Sequence, residues 1–311
     1  MSNAAVVSIG TFDGVHVGHQ AILNEVRSQA SKRRIPAVAY AFALPPRMQA
    51  AQHAERGLLL PRSVKDQLLL RTIDRVVHAS LSEVRDLSPS RFAEVVLSDQ
   101  LHAESVVIGG SFRFGAQRAG DTATLRSLGK QHGFSVTVVP PILVGGTPAS
   151  STRIRSLLSA GDVPGATALL GRAPVLIGDV VRGDQIGQTL GYATANLALD
   201  PRVLLPHFGV YVVHAFIGEQ TDSAGKPALL YIGMRPTLGT QEGVPRCEVH
   251  LLSESDVDLY GRRIEIHMLK HLRGDQRFAT LADLRHQIDQ DVERASAFLS
   301  GTLCRPAPIS G

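Results

Sequence analysis

A chain of 311 residues is too long for one small hydrophobic core and favours two domains. Hydrophobic residues make up 44% of it, which argues against a disordered protein. Aromatic residues make up only 5%, with no Trp, which argues against an aromatic platform for single-stranded nucleic acid. The formal charge of +4 comes from scattered Lys and Arg, so we expect no nucleic-acid partner.

The chain contains no apolar run of membrane length, and its N-terminus does not have the pattern of a secretion signal. We therefore expect a cytoplasmic protein with no membrane partner. Cys247 and Cys304 lie far apart without metal-binding spacing, so neither a disulfide framework nor a thiolate zinc site is expected.

In the first half of the chain, short β-branched runs alternate with amphipathic segments. The predicted strands are residues 6–10, 37–42, 75–79, 105–109 and 135–139. The predicted helices are residues 18–31, 63–72, 89–101 and 122–132. This alternation predicts a parallel sheet covered by helices, which binds ligands at the carboxyl ends of its strands.

The second half of the chain has a different pattern of predicted elements. After the turn-rich residues 140–148, the sequence predicts a helix beginning at SSTRIR and a short helix over 163–170 that ends at Gly171. From Arg172 onward, closely spaced strands separated by glycine-containing turns predict a barrel or a sandwich. Apolar residues at helical spacing over 281–298 predict a terminal helix. The predicted domains are therefore 1–171 and 172–311.

The segment GTFDGVHVGH, residues 10–19, lies where the first predicted strand gives way to a helix. A loop of small residues at such a point lets backbone amides approach an anion, and the helix N-terminus adds a partial positive charge. We therefore predict a phosphate site formed by Gly10, Thr11, Phe12, Asp13, Gly14 and Gly18. In that site His16 and His19 would donate hydrogen bonds to phosphate oxygens. Alternatively, the two histidines are a helix cap and an exposed residue, or half of a metal site.

These ten residues resemble the HxGH motif of the nucleotidyltransferase superfamily. The form GTFDGVHVGHQAIL is similar in particular to the start of prokaryotic bifunctional riboflavin kinase/FMN adenylyltransferases. The run from Ser150 to Arg155 resembles the S-S-T-x-I-R element of that superfamily. The resemblance implies that Ser151 and Thr152 bind phosphate and that Arg153 stabilises the leaving pyrophosphate. A capped surface helix is the alternative interpretation of STRIR.

GDVVRGDQIGQTLGYATANL, residues 178–197, resembles the flavokinase stretch that ends in P-T-A-N, and later segments follow in the family's order. The resemblance implies that Thr194 and Asn196 hold Mg²⁺ with ATP. It also implies that Glu248 takes the proton from the 5′-hydroxyl of riboflavin. A loop bearing Gly183 and Gly187 would cover the nucleotide. Without the resemblance, the alternative interpretation is that Glu248 is a solvent-facing residue of a strand and that GDQIG forms a hairpin turn.

The chain departs from the family pattern in both halves. The family usually reads F-E/D-P-H-P after the second strand, whereas here Phe42 is followed by Ala43, Leu44, Pro45 and Pro46. It usually reads G-E-N/D-F where this chain has Gly109, Gly110, Ser111 and Phe112. The resemblance places these positions, Phe112 included, along the adenylylation pocket. In the kinase half, Gln188 stands where the family often has Arg and Ala193 where it has Pro.

The resemblance implies an α/β nucleotidyltransferase domain with a Rossmann-like parallel sheet, followed by a flavokinase-like β-barrel with a terminal helix. The implied activities are phosphorylation of riboflavin to FMN and adenylylation of FMN to FAD. The implied cofactor is Mg²⁺ with ATP, and flavins are substrate and product. Three alternatives stay open: a monofunctional riboflavin kinase with a degenerate first half, a non-catalytic flavin-binding regulator, and a transferase with another acceptor. The sequence does not indicate an oligomeric state.

Overall fold

The computed structural model describes residues 4–43, 57–182, 192–218, 225–234, 245–252, 259–301 and 308–309. They form two compact units. The first holds the described residues of 4–43 and 62–151, and the second holds 57–61 and those of 152–309. In the described part of the chain, no helix is both long and apolar enough to cross a membrane.

The first unit contains the parallel sheet that the alternating pattern predicts. Its five strands are β1 (Ala5–Gly10), β2 (Ala37–Phe42), β3 (Arg75–Ala79), β4 (Ala103–Gly109) and β5 (Ser135–Val139). They lie in the order β3-β2-β1-β4-β5. The chain therefore reverses its direction of travel across the sheet between β1 and β4. Ligands of open α/β sheets bind at the carboxyl ends of the strands beside such a reversal, and GTFDGVHVGH begins there.

Helices α1 (Val17–Arg33), α2 (Arg62–Leu70) and α5 (Thr122–His132) connect these strands. The predicted helix over 89–101 is divided. Short α3 (Leu81–Val84) and α4 (Pro89–Phe92) precede a π-helical segment, Ala93–Gln100. Its five-residue bonding pattern is visible in the bond from the Leu101 N–H to the Val96 carbonyl. A hairpin of β6 (Leu143–Val144) and β7 (Thr147–Pro148) follows β5.

Helix α6 (Ser151–Ser159) begins at the last residue of the first unit, and α7 (Val163–Leu170) follows it. The remaining strands are β8 (Val175–Val181), β9 (Ala195–Leu199), β10 (Gly209–Ile217), β11 (Lys226–Met234), β12 (Pro245–Leu251) and β13 (Arg263–Gly274). They form a closed barrel rather than a sandwich, in the order β10-β11-β12-β9-β8-β13. Strand β9 has no counterpart among the predicted strands.

The terminal helix α8 (Leu281–Ser300) packs against the barrel. A capping box of Thr280 and Asp283 begins it, so its first backbone donors are satisfied. Its apolar face contributes Val292, Ala295 and Phe298 to a cluster with barrel side chains such as Val212. This helix and β13 also form walls of the cavity described below.

Candidate functional site

The loop after β1, residues 11–16, has an unusual backbone. Phe12 and Val15 have φ angles of 49° and 42°, and Gly14 has a φ of 81°. Such angles are uncommon for residues with a side chain, above all for β-branched valine, and they persist only where the surroundings enforce them. This loop is therefore held in its conformation by other parts of the first unit.

Side chains hold three alternate carbonyls of the loop. Lys65 Nζ donates to the Thr11 carbonyl at 3.2 Å, and Ser151 Oγ donates to the Asp13 carbonyl at 2.7 Å. Gln20 Nε2 donates to the Val15 carbonyl at 2.9 Å. A carbonyl bound in this way cannot turn its negative end toward an incoming anion. These contacts therefore suit the loop for binding phosphate.

His16 is the N-cap of α1, so the helix-cap alternative is right for this residue. Its Nδ1 accepts a hydrogen bond from the His19 backbone N–H at 3.4 Å. An accepting Nδ1 places the proton of a neutral imidazole on Nε2. His16 can therefore donate a hydrogen bond from Nε2 while it caps the helix.

His19 is not an exposed residue. Its ring stacks on His16 with 3.7 Å between centroids, and Phe12 meets it edge-on at 5.5 Å. Burial, followed by the nearby His16 and Lys65, lowers the pKa of His19 well below the usual value. The buried Nδ1 of His19 has no hydrogen-bond partner among the described residues. The site thus holds a neutral imidazole with an unused polar atom.

Glycine at position 18 makes room for the His16 ring. A Cβ there would lie 3.1 Å from Cε1 and 3.2 Å from Nδ1 of His16, which is closer than side-chain carbons normally pack. A Cβ on Gly10 would lie 3.3 Å from the Phe12 ring. Phe12 itself is only 1% exposed, so its visible role is to support the His19 ring.

The other predicted residues of the transferase half have varied surroundings. Phe112 packs against the core of the first unit and stacks on Phe114 with 5.6 Å between ring centroids. Ser111 is exposed. Thr152 and Arg153 follow Ser151 in α6. Leu44, Pro45 and Pro46 lie outside the described residues, as do Gly183, Gly187 and Gln188 of the kinase half.

The second unit contains a cavity of about 590 Å³. Strands β10, β11, β12 and β13, the segment before β9, and α8 supply its walls. Polar and aromatic side chains line it, including Thr194, Glu248, His250, Arg273 and Asp275. Its size and mixed lining are typical of a site for a small organic molecule.

Glu248 and His250 face this cavity, on the opposite side of β12 from buried Cys247, Val249 and Leu251. Successive side chains of a β-strand point to opposite faces, which separates these two sets. Burial raises the pKa of the Cys247 thiol to about 12. Arg246 Nη1 lies 3.5 Å from Glu248 Oε1, so a cation accompanies the carboxylate at the cavity wall.

The barrel brings the two predicted metal ligands close to Glu248. Asn196 of β9 lies directly opposite Glu248 of the neighbouring antiparallel strand β12, so the two side chains share a face of the sheet. Thr194, two residues before Asn196, lines the same cavity. Hydroxyl, amide and carboxylate oxygens are ligands that suit Mg²⁺, and the donor set therefore fits this ion.

His250 supports the segment that carries Thr194. Its Nδ1 lies 2.9 Å from the Ala193 carbonyl, and its ring meets Tyr192 edge-on at 5.2 Å. A carbonyl only accepts hydrogen bonds, so the proton is on Nδ1. This bond fixes the backbone at the position where the family usually has proline.

Several residues of the two sites belong to no motif that predicts a role for them. In the barrel these are Arg273, Asp275 and Phe278 of LRGDQRF, which line the cavity. Tyr231 donates to Asp275 at 3.0 Å, and its pKa is raised first by burial and then by that carboxylate. In the first unit the missed residue is Lys65, whose position inside an amphipathic helix resembles that of an ordinary surface lysine.

Comparisons with known proteins match a family to each half of the chain. The family model described as FAD synthetase matches residues 1–153, and the one described as riboflavin kinase matches residues 170–299. The bifunctional riboflavin kinase/FMN adenylyltransferase of Escherichia coli K12 is 35% identical over 97% of this chain and 94% of its own length. The protein of the same description from Pseudomonas fluorescens is 36% identical, over 94% and 92%.

A crystal structure of a protein from Streptococcus pneumoniae, described as a macrolide-efflux protein, has a TM-score of 0.84 and 27% identity. The likeness covers 95% of each chain, so it includes both the sheet and the barrel. The family models, and identities above 30% over nearly the whole length, establish the relationship. The chain belongs to the bifunctional riboflavin kinase/FMN adenylyltransferase family.

Proposed function

We propose that this protein makes FAD from riboflavin in two ATP-dependent steps, each in its own catalytic domain. Family membership supports both activities. The observation that carries the proposal is that each unit has a separate polar site: stacked His16 and His19 at the reversal point of the sheet, and Glu248 in the barrel cavity. We place the domains at 1–171 and 172–311, in a cytoplasmic enzyme.

In the kinase step, the 5′-hydroxyl oxygen of riboflavin bonds to the γ-phosphorus of ATP. The bond from that phosphorus to the β-bridging oxygen breaks, so ADP leaves and FMN forms. Glu248 accepts the hydroxyl proton, because a carboxylate at the cavity wall is a suitable base for an alcohol held nearby. Its neighbour Arg246 keeps a positive charge beside it.

Thr194 and Asn196 would hold Mg²⁺. When bound, this ion neutralises charge on the phosphate oxygens of ATP. The Ala193 carbonyl, held by His250, keeps the backbone before Thr194 in place. We assign Gly183 and Gly187 to nucleotide binding on the family resemblance alone.

In the transfer step, a phosphate oxygen of FMN bonds to the α-phosphorus of ATP, and pyrophosphate leaves. No protein group needs to act as nucleophile. His16 donates from Nε2 to a phosphate oxygen, and neutral His19 does so beside it, stabilising charge as it builds. Arg153 stabilises the pyrophosphate. The phosphates are bound by the small residues of the loop after β1 and by the Thr152 hydroxyl, and Phe112 lines the pocket. Ser151, the other predicted phosphate ligand, donates its single O–H to the Asp13 carbonyl and so contributes by holding the loop.

The family usually has an acid at the positions of Ala43 and Gly110 and an Asn or Asp at that of Ser111, and the loss of these polar groups affects this second step. Each well-placed polar group is worth about 10²- to 10³-fold in rate at a charged transition state. We therefore expect FAD formation to be slower than FMN formation, with the reaction still supported by His16, His19 and Arg153.

The test is to incubate the purified full-length protein with riboflavin, ATP and Mg²⁺ and to separate the flavins by chromatography. We expect FMN to form first and FAD to follow with release of pyrophosphate. FMN without FAD would contradict the transferase step and support a monofunctional kinase. Tight flavin binding with no ATP consumption would support a regulator instead.

A further inference from the structure

Lys65 is a buried lysine at the edge of the transferase site. It is only 5% exposed, and it shares the buried face of α2 with Val64, Leu68 and Leu69. Among the described residues, no carboxylate lies within ion-pair distance of Nζ. Removing an ammonium from water without a paired charge is unfavourable, so its burial calls for a specific explanation.

The ammonium links the ends of two neighbouring strands. Nζ donates to the Phe42 carbonyl at 2.7 Å and to the Thr11 carbonyl at 3.2 Å. Phe42 is the last residue of β2, and Thr11 directly follows β1. Both carbonyls are therefore at the carboxyl edge of the sheet, where this class of sheet binds ligands.

Lys65 also differs from the other side chains that hold the loop after β1. Ser151 and Gln20 hold carbonyls with neutral groups, whereas Lys65 brings a positive charge. The Thr11 carbonyl that it holds directly precedes Phe12, the first strained residue of the loop. An ammonium has three N–H groups, and the two carbonyls use two of them.

We infer that Lys65 is a positioning residue for adenylyl transfer: it fixes the loop after β1 and adds a positive charge to the site that binds the phosphates of ATP. This inference rests on the function proposed for the first unit. The ligand class is a nucleoside triphosphate. Its negative charge would attract the buried ammonium, whose two hydrogen-bond partners are neutral carbonyls. Neutral hydrogen-bond donors could fix the loop but could not supply that charge.

The charged groups around Lys65 have opposing effects on its pKa. Asp13 and Asp66 favour the ammonium, whereas Arg62 opposes it, and burial has the largest effect, so the pKa of Lys65 is lowered. Lys65 in turn disfavours protonation of His19 and His78. The enzyme without nucleotide should thus lose this charge at a lower pH than an ordinary lysine would.

The experiment compares Lys65→Met, Lys65→Arg and the control Lys130→Met, which removes an exposed lysine of α5. Each full-length variant is supplied with FMN, ATP and Mg²⁺. We expect Lys65→Met to lower kcat/KM for FAD formation by about 10²-fold, the usual effect of a misplaced reacting group. The Lys130→Met rate should equal that of the wild type. FMN formation from riboflavin should be the same in all four proteins.

A pH profile separates a charged role from a merely structural one. A guanidinium stays charged throughout the accessible range. In the wild type, FAD formation should decline at alkaline pH, and in Lys65→Arg this decline should move to higher pH. The Arg variant retains the charge and its donors, so it decides the question even if Lys65→Met does not fold.

Equal FAD formation by Lys65→Met and the Lys130→Met control would overturn the inference, as would an alkaline decline at the same pH in the wild type and Lys65→Arg. Either result would leave the proposed function standing, because the wild type would still form FAD. A wild-type protein that forms no FAD would overturn both.

Discussion

The Nδ1 atom of His16 accepts the backbone N–H of His19, and the two rings stack with centroids 3.7 Å apart. One histidine thus caps the helix that carries the other. The contact assigns the proton of His16 to Nε2, and the surroundings keep His19 neutral. Each neutral imidazole has one N–H group that it can donate to a polyphosphate oxygen at neutral pH.

The lowered pKa of His19 predicts a loss of stability in acid. Above about pH 6.5 both folded and unfolded forms carry neutral His19, so it does not affect stability. Below that pH the unfolded chain binds a proton that the folded chain does not. Stability therefore falls as pH decreases toward the folded pKa, by up to about 1.4 kcal/mol per pH unit.

Urea unfolding of the first unit at pH 7.5 and 5.5 measures this effect. His19→Asn should lose less stability between the two pH values than the wild type does. His102→Asn, which changes an exposed histidine of the same unit, should behave as the wild type. Equal pH dependence in His19→Asn and the wild type would show that His19 is protonated in the folded chain.

Gly18→Ala should impair FAD formation selectively. The added Cβ would lie 3.1 Å from the His16 ring, and the ring must move to relieve the contact. Displacement of a catalytic group by about 1 Å can cost 10²-fold, so we expect kcat for FAD from FMN to fall by about 10- to 100-fold. Initial rates of both steps check this. An unchanged FAD rate would mean that the ring position does not matter.

His250→Phe should weaken the kinase step. Phenylalanine keeps a ring beside Tyr192 but loses the hydrogen bond to the Ala193 carbonyl. A bond of about 1 kcal/mol corresponds to roughly fivefold, which we expect chiefly as a higher KM for ATP with Mg²⁺. FAD formation from supplied FMN should not change. Wild-type kinase kinetics in this variant would show that Thr194 is positioned without His250.

Arg273→Met should destabilise the second unit strongly. Arg273 Nη2 lies 2.9 Å from Asp291 Oδ2, and the Asp291 side chain is only 2% exposed. Removing one partner of a buried pair costs about 3–5 kcal/mol, because the remaining charge is left uncompensated. Arg202→Met removes a surface partner of Asp200 and should cost less than about 1 kcal/mol. Equal unfolding free energies of the two variants would contradict the importance of the buried pair.

Much of the fold could be predicted from the sequence because its signals are local. The five parallel strands stand out as β-branched runs between amphipathic segments, and the terminal helix has regular apolar spacing. Strand β9 escaped notice because five residues, two of them alanine, form too short a pattern. The π-helical segment has the same apolar residues as an α-helix would, and eight residues do not distinguish the two periods.

Other features depend on contacts that are distant in sequence. Residues 57–61 belong to the second unit, where Leu58 pairs with Val203 and Arg155 Nε donates to the Gly57 carbonyl at 2.6 Å. No local sequence pattern predicts such pairing. Lys65 was missed for the same reason, since its partners Thr11 and Phe42 are 54 and 23 residues away. The motif histidines and Glu248 were found because flanking residues resemble a known family.

The most direct measurement is a crossed assay of two variants of the full-length protein. His16→Asn retains an N-cap acceptor but removes the ring donor, and Glu248→Gln removes the base while keeping its shape. We expect His16→Asn to lower FAD formation from FMN by about 10²- to 10³-fold with normal FMN formation. Glu248→Gln should lower FMN formation by about 10²- to 10⁴-fold with normal FAD formation from supplied FMN. Loss of both activities in either variant, or of neither, would contradict two independent sites.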